Sequence, residues 1–143
     1  MTRNLSPILL ESRGLTQALR RLISDFVKTT GTRAALCIQN IDSFFTDDNR
    51  TSVYRIVQEC LSNIGKHSGA KNVSLLIKKQ NGKVSLAIND DGKGFDVGPA
   101  LGKGLGLTII SERARMLNGT AFIRSQKGKG TEIHIDIFSE AAE

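Results

Sequence analysis

Residues 88–107 read INDDGKGFDVGPALGKGLGL and contain six of the chain's 14 glycines. Ordering a glycine costs more backbone entropy than ordering any other residue, so a folded domain keeps such a stretch where its backbone must turn tightly or approach another group. Alternating apolar residues before the stretch are typical of a strand, and the periodicity after it is typical of a helix. Two interpretations remain: a surface loop, or a loop that holds a ligand close to the backbone.

The glycines do not fit two common phosphate-binding loops. Walker A requires a Gly-Lys pair followed by Ser or Thr, and no Gly-Lys pair in this chain is followed by either. The dinucleotide pattern GxGxxG fails as well, because Leu107 occupies the position of its last glycine. Glycines that lead into a helix still expose backbone amides that attract anions. Asp90, at the end of the predicted strand, could accept a hydrogen bond from an exocyclic amine such as that of adenine.

Hydrophobic periodicity predicts the order helix, strand, helix, hairpin, glycine loop, helix, hairpin. Helices are predicted at 15–30, 48–67 and 105–117, and strands at 33–39, 70–80, 82–91, 120–126 and 131–138. Asp residues are expected to cap the second helix, and Asn81-Gly82 is a strong hairpin signal. Hairpins without repeated βαβ crossovers predict an α/β two-layer sandwich, with a mixed, mainly antiparallel sheet and helices packed on one face.

Composition indicates a soluble globular chain. The 143 residues suit one domain, 39% are hydrophobic and 24% are charged. No apolar run approaches the roughly 20 residues that span a bilayer, and the expected location is the cytoplasm. Cys37 and Cys60 lie in apolar-periodic segments and form no CxxC pair, so both are predicted to be buried free thiols.

The net charge of +6 leaves three kinds of partner open: nucleic acid, a polyanionic small molecule or an acidic protein. Binding of single-stranded nucleic acid needs exposed rings. The chain has only one Tyr and six Phe, and Phe26, Tyr54 and Phe122 fall in apolar-rich segments where burial is expected. Low aromatic content therefore argues against that partner, whereas charge alone does not decide.

The helix predicted at 48–67 has a polar face of mixed chemistry. At about 100° per residue, Glu59, Asn63, Lys66 and His67 fall within about one quarter of its circumference. A carboxylate, an amide and an ammonium suit a hydrated divalent cation with a phosphate, because Mg²⁺ typically keeps only one or two protein ligands. A solvated helix face with a few local contacts explains the same pattern, so the helix alone leaves both readings open.

Five segments, in this order and spacing, resemble the ATP-binding catalytic domain of sensor histidine kinases, within the GHKL (Bergerat-fold) ATPase superfamily. YRIVQECLSNIGKHSGAKNV (54–73) resembles the N box, NDDGKGF (89–95) the G1 box and GKGLGLTIISERARMLNG (102–119) the G2 box. GKGTEIHIDIF (128–138) resembles the closing strand segment. LSPILLESRGLTQALRRLISDF (5–26) resembles the lead-in of the subgroup that partners NarL-type response regulators.

The resemblance implies roles for the polar helix face. Asn63 would be the Mg²⁺ ligand, with Glu59 one turn earlier near the metal-bound water, and both are the predicted catalytic residues. Lys66 and His67 would lie beside the phosphates of ATP. Gly65 departs from the pattern, where a small non-glycine residue is common. Because glycine within a helix costs roughly 1 kcal/mol, the helix is expected to loosen near Lys66.

The resemblance also implies two halves of a nucleotide pocket. On the adenine side, Asp90 would receive the adenine amine, Gly92 and Gly94 would shape the pocket, and Thr131 would support it. On the phosphate side, Gly104, Gly106 and Leu107 would form the helix entrance that faces the phosphates. The segment from Phe95 to Lys103 would be a short ATP lid.

The resemblance implies an ATP-dependent protein-histidine kinase domain with ATP and Mg²⁺ as cofactors. Neither His67 nor His134 is followed by Asp or Glu, as a phosphoacceptor usually is, so the acceptor is expected on a separate dimerisation domain. Residues 1–10 are expected to be the end of a helix of that domain or a linker, and 11–143 the catalytic domain. The implied partners are that histidine-bearing domain and a NarL-type regulator, with no direct nucleic-acid contact. The parent is expected to be a homodimer, and the sequence leaves open whether it is anchored in the inner membrane.

Two alternative functions remain open. One keeps the fold and makes the chain a GHKL serine kinase that binds and inhibits a sigma factor, although the lead-in at 5–26 disfavours it. The other is a basic nucleic-acid-binding module, whose affinity would depend steeply on salt and whose melting temperature would not respond to Mg-ATP. A domain that binds nucleotide without transferring phosphate is a further possibility.

Overall fold

The computed structural model describes residues 7–94 and 107–139; for residues 7–13, 67, 68 and 107 it describes the backbone only. Three α-helices and five strands follow the predicted order. They are α1 (Pro7–Thr30), β1 (Arg33–Ile38), α2 (Asp47–Asn63), β2 (Asn72–Gln80), β3 (Lys83–Asp90), α3 (Leu107–Met116), β4 (Gly119–Ser125) and β5 (Thr131–Phe138). A 3₁₀ turn at Asp42–Phe44 precedes α2, and a π-helical turn at Ile64–Ser68 follows it. None of the described helices combines the length and apolar character needed to cross a bilayer.

The five strands form one sheet in the order β1-β2-β3-β5-β4. β1 runs parallel to β2, and the other three pairs are antiparallel. In the three central strands every second residue is buried, which places one apolar row per strand on the same face. These residues form a single core with the helices: Val73, Leu75, Ile77, Val84, Leu86, Ile88, Ile133, Ile135 and Ile137. The predicted two-layer sandwich is confirmed.

The apolar faces predicted for the first two helices form the other half of the core. From α1, Leu15, Leu19 and Ile23 are at most 2% exposed. All predicted core positions around α2 are buried: Val53, Ile56, Val57, Cys60, Leu61 and Ile64. The opposite side of α2, which carries Glu59 and Asn63, is only half-buried. Burial of one face thus determines which side chains α2 presents to a ligand.

Helix α1 is broken at Gly14, whose backbone angles are φ 82° and ψ 162°. The carboxylate of Asp42 accepts hydrogen bonds there from the backbone N–H of Thr16 (2.7 Å) and from its hydroxyl (2.9 Å). The guanidinium of Arg50 in turn donates to the carbonyl of Asp42. Asp42 therefore caps the helical segment that begins after Gly14 and ties it to the loop before α2. The predicted domain boundary between residues 10 and 11 stays a prediction.

Local details at the ends of the helices differ from the sequence prediction. The N-cap of α2 is Thr46, whose hydroxyl accepts from the backbone N–H of Asn49, and not an Asp residue. Asp47 and Asp48 instead lie in the first turn, where the helix dipole favours negative charge. After α3, Asn118 takes the left-handed conformation (φ 62°) that was expected of the Asn118-Gly119 pair. The expected loosening near Lys66 is confirmed by the π-helical turn.

Two expected burials are wrong. Cys37 is exposed because its side chain lies on the face of β1 opposite to Ala34 and Ile38, which pack against the core. Phe122 is 54% exposed on the open face of the sheet, where the guanidinium of Arg124 lies 5.4 Å from its ring centroid. Apolar segments predicted burial on both faces of these strands, whereas the helices cover one face only. The buried thiol of Cys60 and the buried ring of Tyr54 are confirmed.

Candidate functional site

The adenine side of the predicted site lies where β3 ends and β5 begins. Asp90 and Thr131 are direct partners in the register of these two antiparallel strands. Both side chains point toward the helices, because their neighbours two residues away, Ile88 and Ile133, are buried in the core. Thr131 is 8% exposed, and Asp90 is half-buried. Strand pairing thus places a carboxylate beside a hydroxyl, as the resemblance implied.

Asp90 has one carboxylate oxygen engaged and one available. Oδ1 accepts a hydrogen bond of 2.8 Å from the backbone N–H of Gly92, whereas Oδ2 has no hydrogen-bond partner among the described residues. Burial raises the pKa of Asp90 above its ordinary value, the Gly92 N–H lowers it, and the charge of Asp91 raises it further. A half-buried oxygen without a partner is suited to accept from an amine of a bound ligand.

The turn after β3 is braced by the turn between β4 and β5. A Cβ atom on Gly94, whose φ is 64°, would overlap the carbonyl oxygen of Gln126. A Cβ atom on Gly130 would overlap the carbonyl oxygen of Asp90. The backbone N–H of Gly128 also donates a hydrogen bond to the carbonyl of Lys93. Glycine is therefore required here because two backbones touch.

Ser125, at the end of β4, connects this brace to Thr131. Its hydroxyl donates to the carbonyl of Gly130 at 2.9 Å and lies 2.9 Å from the hydroxyl of Thr131. Ser125 and Thr131 are also direct partners in the register of β4 and β5. The predicted adenine side therefore lies on three adjacent strands, β3, β5 and β4, linked by side-chain and main-chain hydrogen bonds.

Asp91 holds the other side of the same turn. Its carboxylate accepts from the backbone N–H groups of Lys71 and Asn72 and from the side chain of Asn72, at 2.7–2.9 Å. The Asn72 side-chain hydrogen bond is the first cause that holds the pKa of Asp91 below its ordinary value, followed by the backbone N–H groups. The two neighbouring aspartates thus differ in role: Asp91 fastens the turn to β2, and Asp90 faces the pocket.

On the polar face of α2, Glu59 and Asn63 are half-buried and one turn apart. The side-chain nitrogen of Asn63 is buried without a hydrogen-bond partner among the described residues. An amide whose buried end has no partner is uncommon and often marks a ligand site. Its oxygen belongs to the hard ligand class that Mg²⁺ prefers. The oxygen of Asn63 thus fits a hard cation, whereas its buried nitrogen is a donor and could bond only to an acceptor.

Lys66 and His67 do not follow the helical face that was predicted for them. The phase of 100° per residue applies to α2 only up to Asn63, because the wider π-helical turn begins at Ile64. Lys66 is exposed, and only the backbone of His67 is described. π-turns inside or after α-helices occur frequently at functional sites. The direction of these two side chains toward phosphate stays a prediction.

The phosphate side of the predicted pocket lies largely outside the described residues. This applies to Gly104, Gly106 and the predicted lid from Phe95 to Lys103. Leu107 is the first described residue of α3, and the glycines expected to lead into this helix lie outside the described residues. The described chain thus brings Asp90, Gly92, Gly94 and Thr131 together around the end of β3, whereas Glu59 and Asn63 lie on α2.

A family model described as histidine kinase-, DNA gyrase B- and HSP90-like ATPase matches residues 48–141. The chain belongs to this family. The matched segment runs from the first turn of α2 past the end of β5. All predicted site residues of this ATPase domain, from Glu59 to Thr131, therefore lie within it.

Two relatives of this chain are sensor histidine kinases. The domain is 34% identical over 134 residues to sensor histidine kinase LiaS of Bacillus subtilis, covering 94% of this chain and 37% of LiaS. It is also 34% identical to sensor histidine kinase ComP of Bacillus subtilis, covering 93% of this chain and 18% of ComP. The chain thus spans well under half the length of these curated relatives.

Solved structures share the fold. The histidine kinase domain of a blue-light activated histidine kinase from Erythrobacter litoralis EL346 aligns with a TM-score of 0.75 at 21% identity, covering 86% of this chain and 60% of that one. The ATP binding domain of PrrB from Mycobacterium tuberculosis aligns with a TM-score of 0.69 at 20% identity, covering 89% and 95%. At this identity the likeness shows the fold alone.

Sequence reasoning missed three functional details of this ATPase domain. Ser125 and the carbonyl of Gln126 have no motif of their own, and Asp91 looks like a second copy of Asp90. The hairpin predicted for 120–126 and 131–138 contained a signal for the first, because its register sets Ser125 opposite Thr131. The brace could not be predicted, since main-chain contacts between distant turns leave little trace in side-chain patterns.

Proposed function

We propose that this chain binds Mg-ATP and donates its γ-phosphoryl group to a histidine on a separate dimerisation domain of the same parent protein. The main support is the pairing of Asp90 and Thr131, which offers an available carboxylate oxygen beside a buried hydroxyl at the mouth of a glycine turn. An exocyclic amine of adenine would donate to Oδ2 of Asp90, which has no hydrogen-bond partner among residues 7–94 and 107–139.

Phosphoryl transfer asks the protein mainly to position the phosphates and to neutralise charge. Mg²⁺, when bound, would supply part of that charge neutralisation. Asn63 would hold the cation through its amide oxygen, and Glu59 would orient a water beside it. The amides of Gly104 and Gly106 at the start of α3, together with Leu107, would face the phosphates, and Lys66 and His67 would lie near them. The segment from Phe95 to Lys103 would cover the bound nucleotide.

The proposal includes the arrangement of the parent protein. Residues 1–10 would be the end of a dimerisation helix or a linker, residues 11–143 the catalytic domain, and the parent a homodimer. A NarL-type response regulator would receive the phosphoryl group. This part of the proposal rests on the resemblance of the lead-in at 5–26. The catalytic domain would work in the cytoplasm, whether or not the parent is anchored in a membrane.

Calorimetry with Mg-ATP tests the binding step, with the wild type compared with Asp90→Asn. Equal affinity for the two proteins would contradict the adenine assignment.

Transfer is tested in the full-length parent with labelled ATP, since phosphohistidine is labile in acid and phosphoserine is stable. Label that survives acid would favour a serine kinase instead. The variant Glu59→Gln tests the role of Glu59. If it abolishes transfer and leaves nucleotide binding intact, Glu59 is an obligate base and not only a residue that orients water.

A further inference from the structure

Ser125 is in contact with the adenine side of the proposed pocket through Thr131. It lies on β4 directly opposite Thr131, which in turn lies directly opposite Asp90 on β3. Its Oγ atom is 2.9 Å from the carbonyl oxygen of Gly130 and 2.9 Å from the Oγ1 atom of Thr131. Ser125 therefore touches Thr131 from the side away from Asp90.

Two hydrogen bonds of Ser125, to Gly130 and to Thr131, determine where the proton of Thr131 lies. A serine hydroxyl has one proton to donate and two lone pairs to accept with, whereas a carbonyl can only accept. The bond to Gly130 therefore uses the Ser125 proton. Because Ser125 has no second proton, the bond to Thr131 requires Thr131 to donate its own proton to Ser125. Thr131 is left with its lone pairs as the only hydrogen-bonding capacity that it can turn toward a ligand.

We propose that Ser125 is a positioning residue that fixes Thr131 as a hydrogen-bond acceptor and so helps the pocket select a purine with an amino group at C6 over one with a carbonyl there. This inference rests on the proposed nucleotide site. Together with the available Oδ2 of Asp90, Thr131 makes this side of the pocket an acceptor surface. A C6 amino group donates to such a surface, whereas a C6 carbonyl sets one acceptor against another.

Inosine triphosphate is the matched probe, because it differs from ATP by a carbonyl in place of the C6 amine and by the proton on N1. In Ser125→Ala the proton of Thr131 is free to rotate toward the ligand and can donate to the C6 carbonyl. The affinity ratio of ATP to inosine triphosphate is then expected to fall about fivefold, which corresponds to one net neutral hydrogen bond. Calorimetry on the chain with each nucleotide and Mg²⁺ measures this ratio.

Two further variants separate positioning from a general structural role. Ser125→Thr keeps the hydroxyl and is expected to retain the wild-type ratio. Thr131→Val removes the hydroxyl through which Ser125 acts. The double variant Thr131→Val/Ser125→Ala is therefore expected to have the same affinity ratio as Thr131→Val alone. A purely structural defect at Ser125 would weaken both nucleotides by the same factor and leave the ratio unchanged.

The outcomes also distinguish this inference from the proposed function. If the wild type binds ATP and prefers it to inosine triphosphate, but Ser125→Ala keeps the full preference, the role of Ser125 is wrong and the nucleotide site stands. A wild type that binds both nucleotides equally also overturns the inference. If the folded wild type binds neither, the proposed function itself fails.

Discussion

Gly130 lies directly against the carbonyl oxygen of Asp90, so close that the smallest side chain would overlap it. This contact fixes the turn between β4 and β5 on the turn that follows β3. The backbone of Asp90, the proposed adenine contact, is therefore held by the residue that directly precedes β5 as well as by its own strand.

Gly130→Ala is therefore expected to destabilise the domain more than Gly128→Ala. Both glycines have positive φ angles, 77° and 81°, so both variants incur the left-handed strain of about 1–2 kcal/mol. Only Gly130 faces a backbone atom at close range, whereas nothing lies within 4 Å of a Cβ atom on Gly128. The overlap adds about 1–3 kcal/mol of packing strain. Urea unfolding of the two variants measures the difference, and equal midpoints would contradict the brace.

Asp90→Asn is expected to stabilise the free domain and weaken ATP binding. The folded-state pKa of Asp90 is raised from 3.8, so the folded form holds its proton more tightly than the unfolded chain. Its contribution to the free energy of unfolding is present below pH 3.8 and is lost as the pH rises through the folded-state pKa. At pH 7 the wild type keeps an unfavourable, partly buried charge at Asp90, whereas the neutral amide of Asn does not. Losing a charge-assisted hydrogen bond weakens ATP affinity about 10- to 100-fold. Thermal melting and calorimetry check the two effects.

The matched variant Asp91→Asn is expected to do the opposite. The pKa of Asp91 is lowered from 3.8, so its contribution to stability is present above that value and lost as the pH falls through the folded-state pKa. At pH 7 the variant should melt below the wild type and bind ATP with nearly wild-type affinity. A higher melting temperature for Asp91→Asn would show that the Lys71 and Asn72 contacts do not fasten the turn.

Asn63→Ala is expected to remove the dependence of ATP affinity on Mg²⁺. Loss of the proposed ligand should lower the affinity for Mg-ATP by about tenfold or more, the range seen even for residues that only support metal ligands. Affinity measured in a chelator should be unchanged. The free variant should melt at or slightly above the wild-type temperature, because the Asn63 nitrogen has no hydrogen-bond partner in the described part of the chain and Ala favours helix. Ser62→Ala, one residue earlier, serves as the control and should retain the Mg²⁺ effect.

The two thiols are expected to react at very different rates. Cys37 is exposed on β1, whereas Cys60 is fully buried in α2. Burial, followed by the charge of Glu59, raises the pKa of Cys60 from 9.0 to about 12. Iodoacetamide at pH 8 should label one thiol per folded chain and two in guanidinium chloride. Cys37→Ser should abolish the labelling of the folded chain. Rapid labelling of both thiols without denaturant would place Cys60 outside the core.

The predictability of the fold and of the site follows from how each is encoded. Helix and strand positions were predicted because burial of one face imposes a period on the sequence, as at Val53, Ile56 and Val57. The exposure of Cys37 and Phe122 could not be predicted. An apolar residue in a strand gives the same sequence pattern whether a helix layer covers its face of the sheet or not. The loosened turn after Asn63 was predicted from Gly65 alone. Whether the Thr131 hydroxyl donates or accepts toward a ligand depends on the position of one proton, which the sequence pattern does not indicate.

The order of strands in the sheet has a consequence for folding. The hairpins β2–β3 and β4–β5 pair residues that are close in sequence. β3 and β5 are also paired, but α3 and β4 lie between them in the chain. Each hairpin alone contains one half of the Asp90–Thr131 pair, and neither forms the pair. The slow, long-range closure of β3 on β5 therefore completes the site. A nucleotide that contacts both strands would be bound after this step, and it would slow the separation of the two hairpins rather than speed their joining.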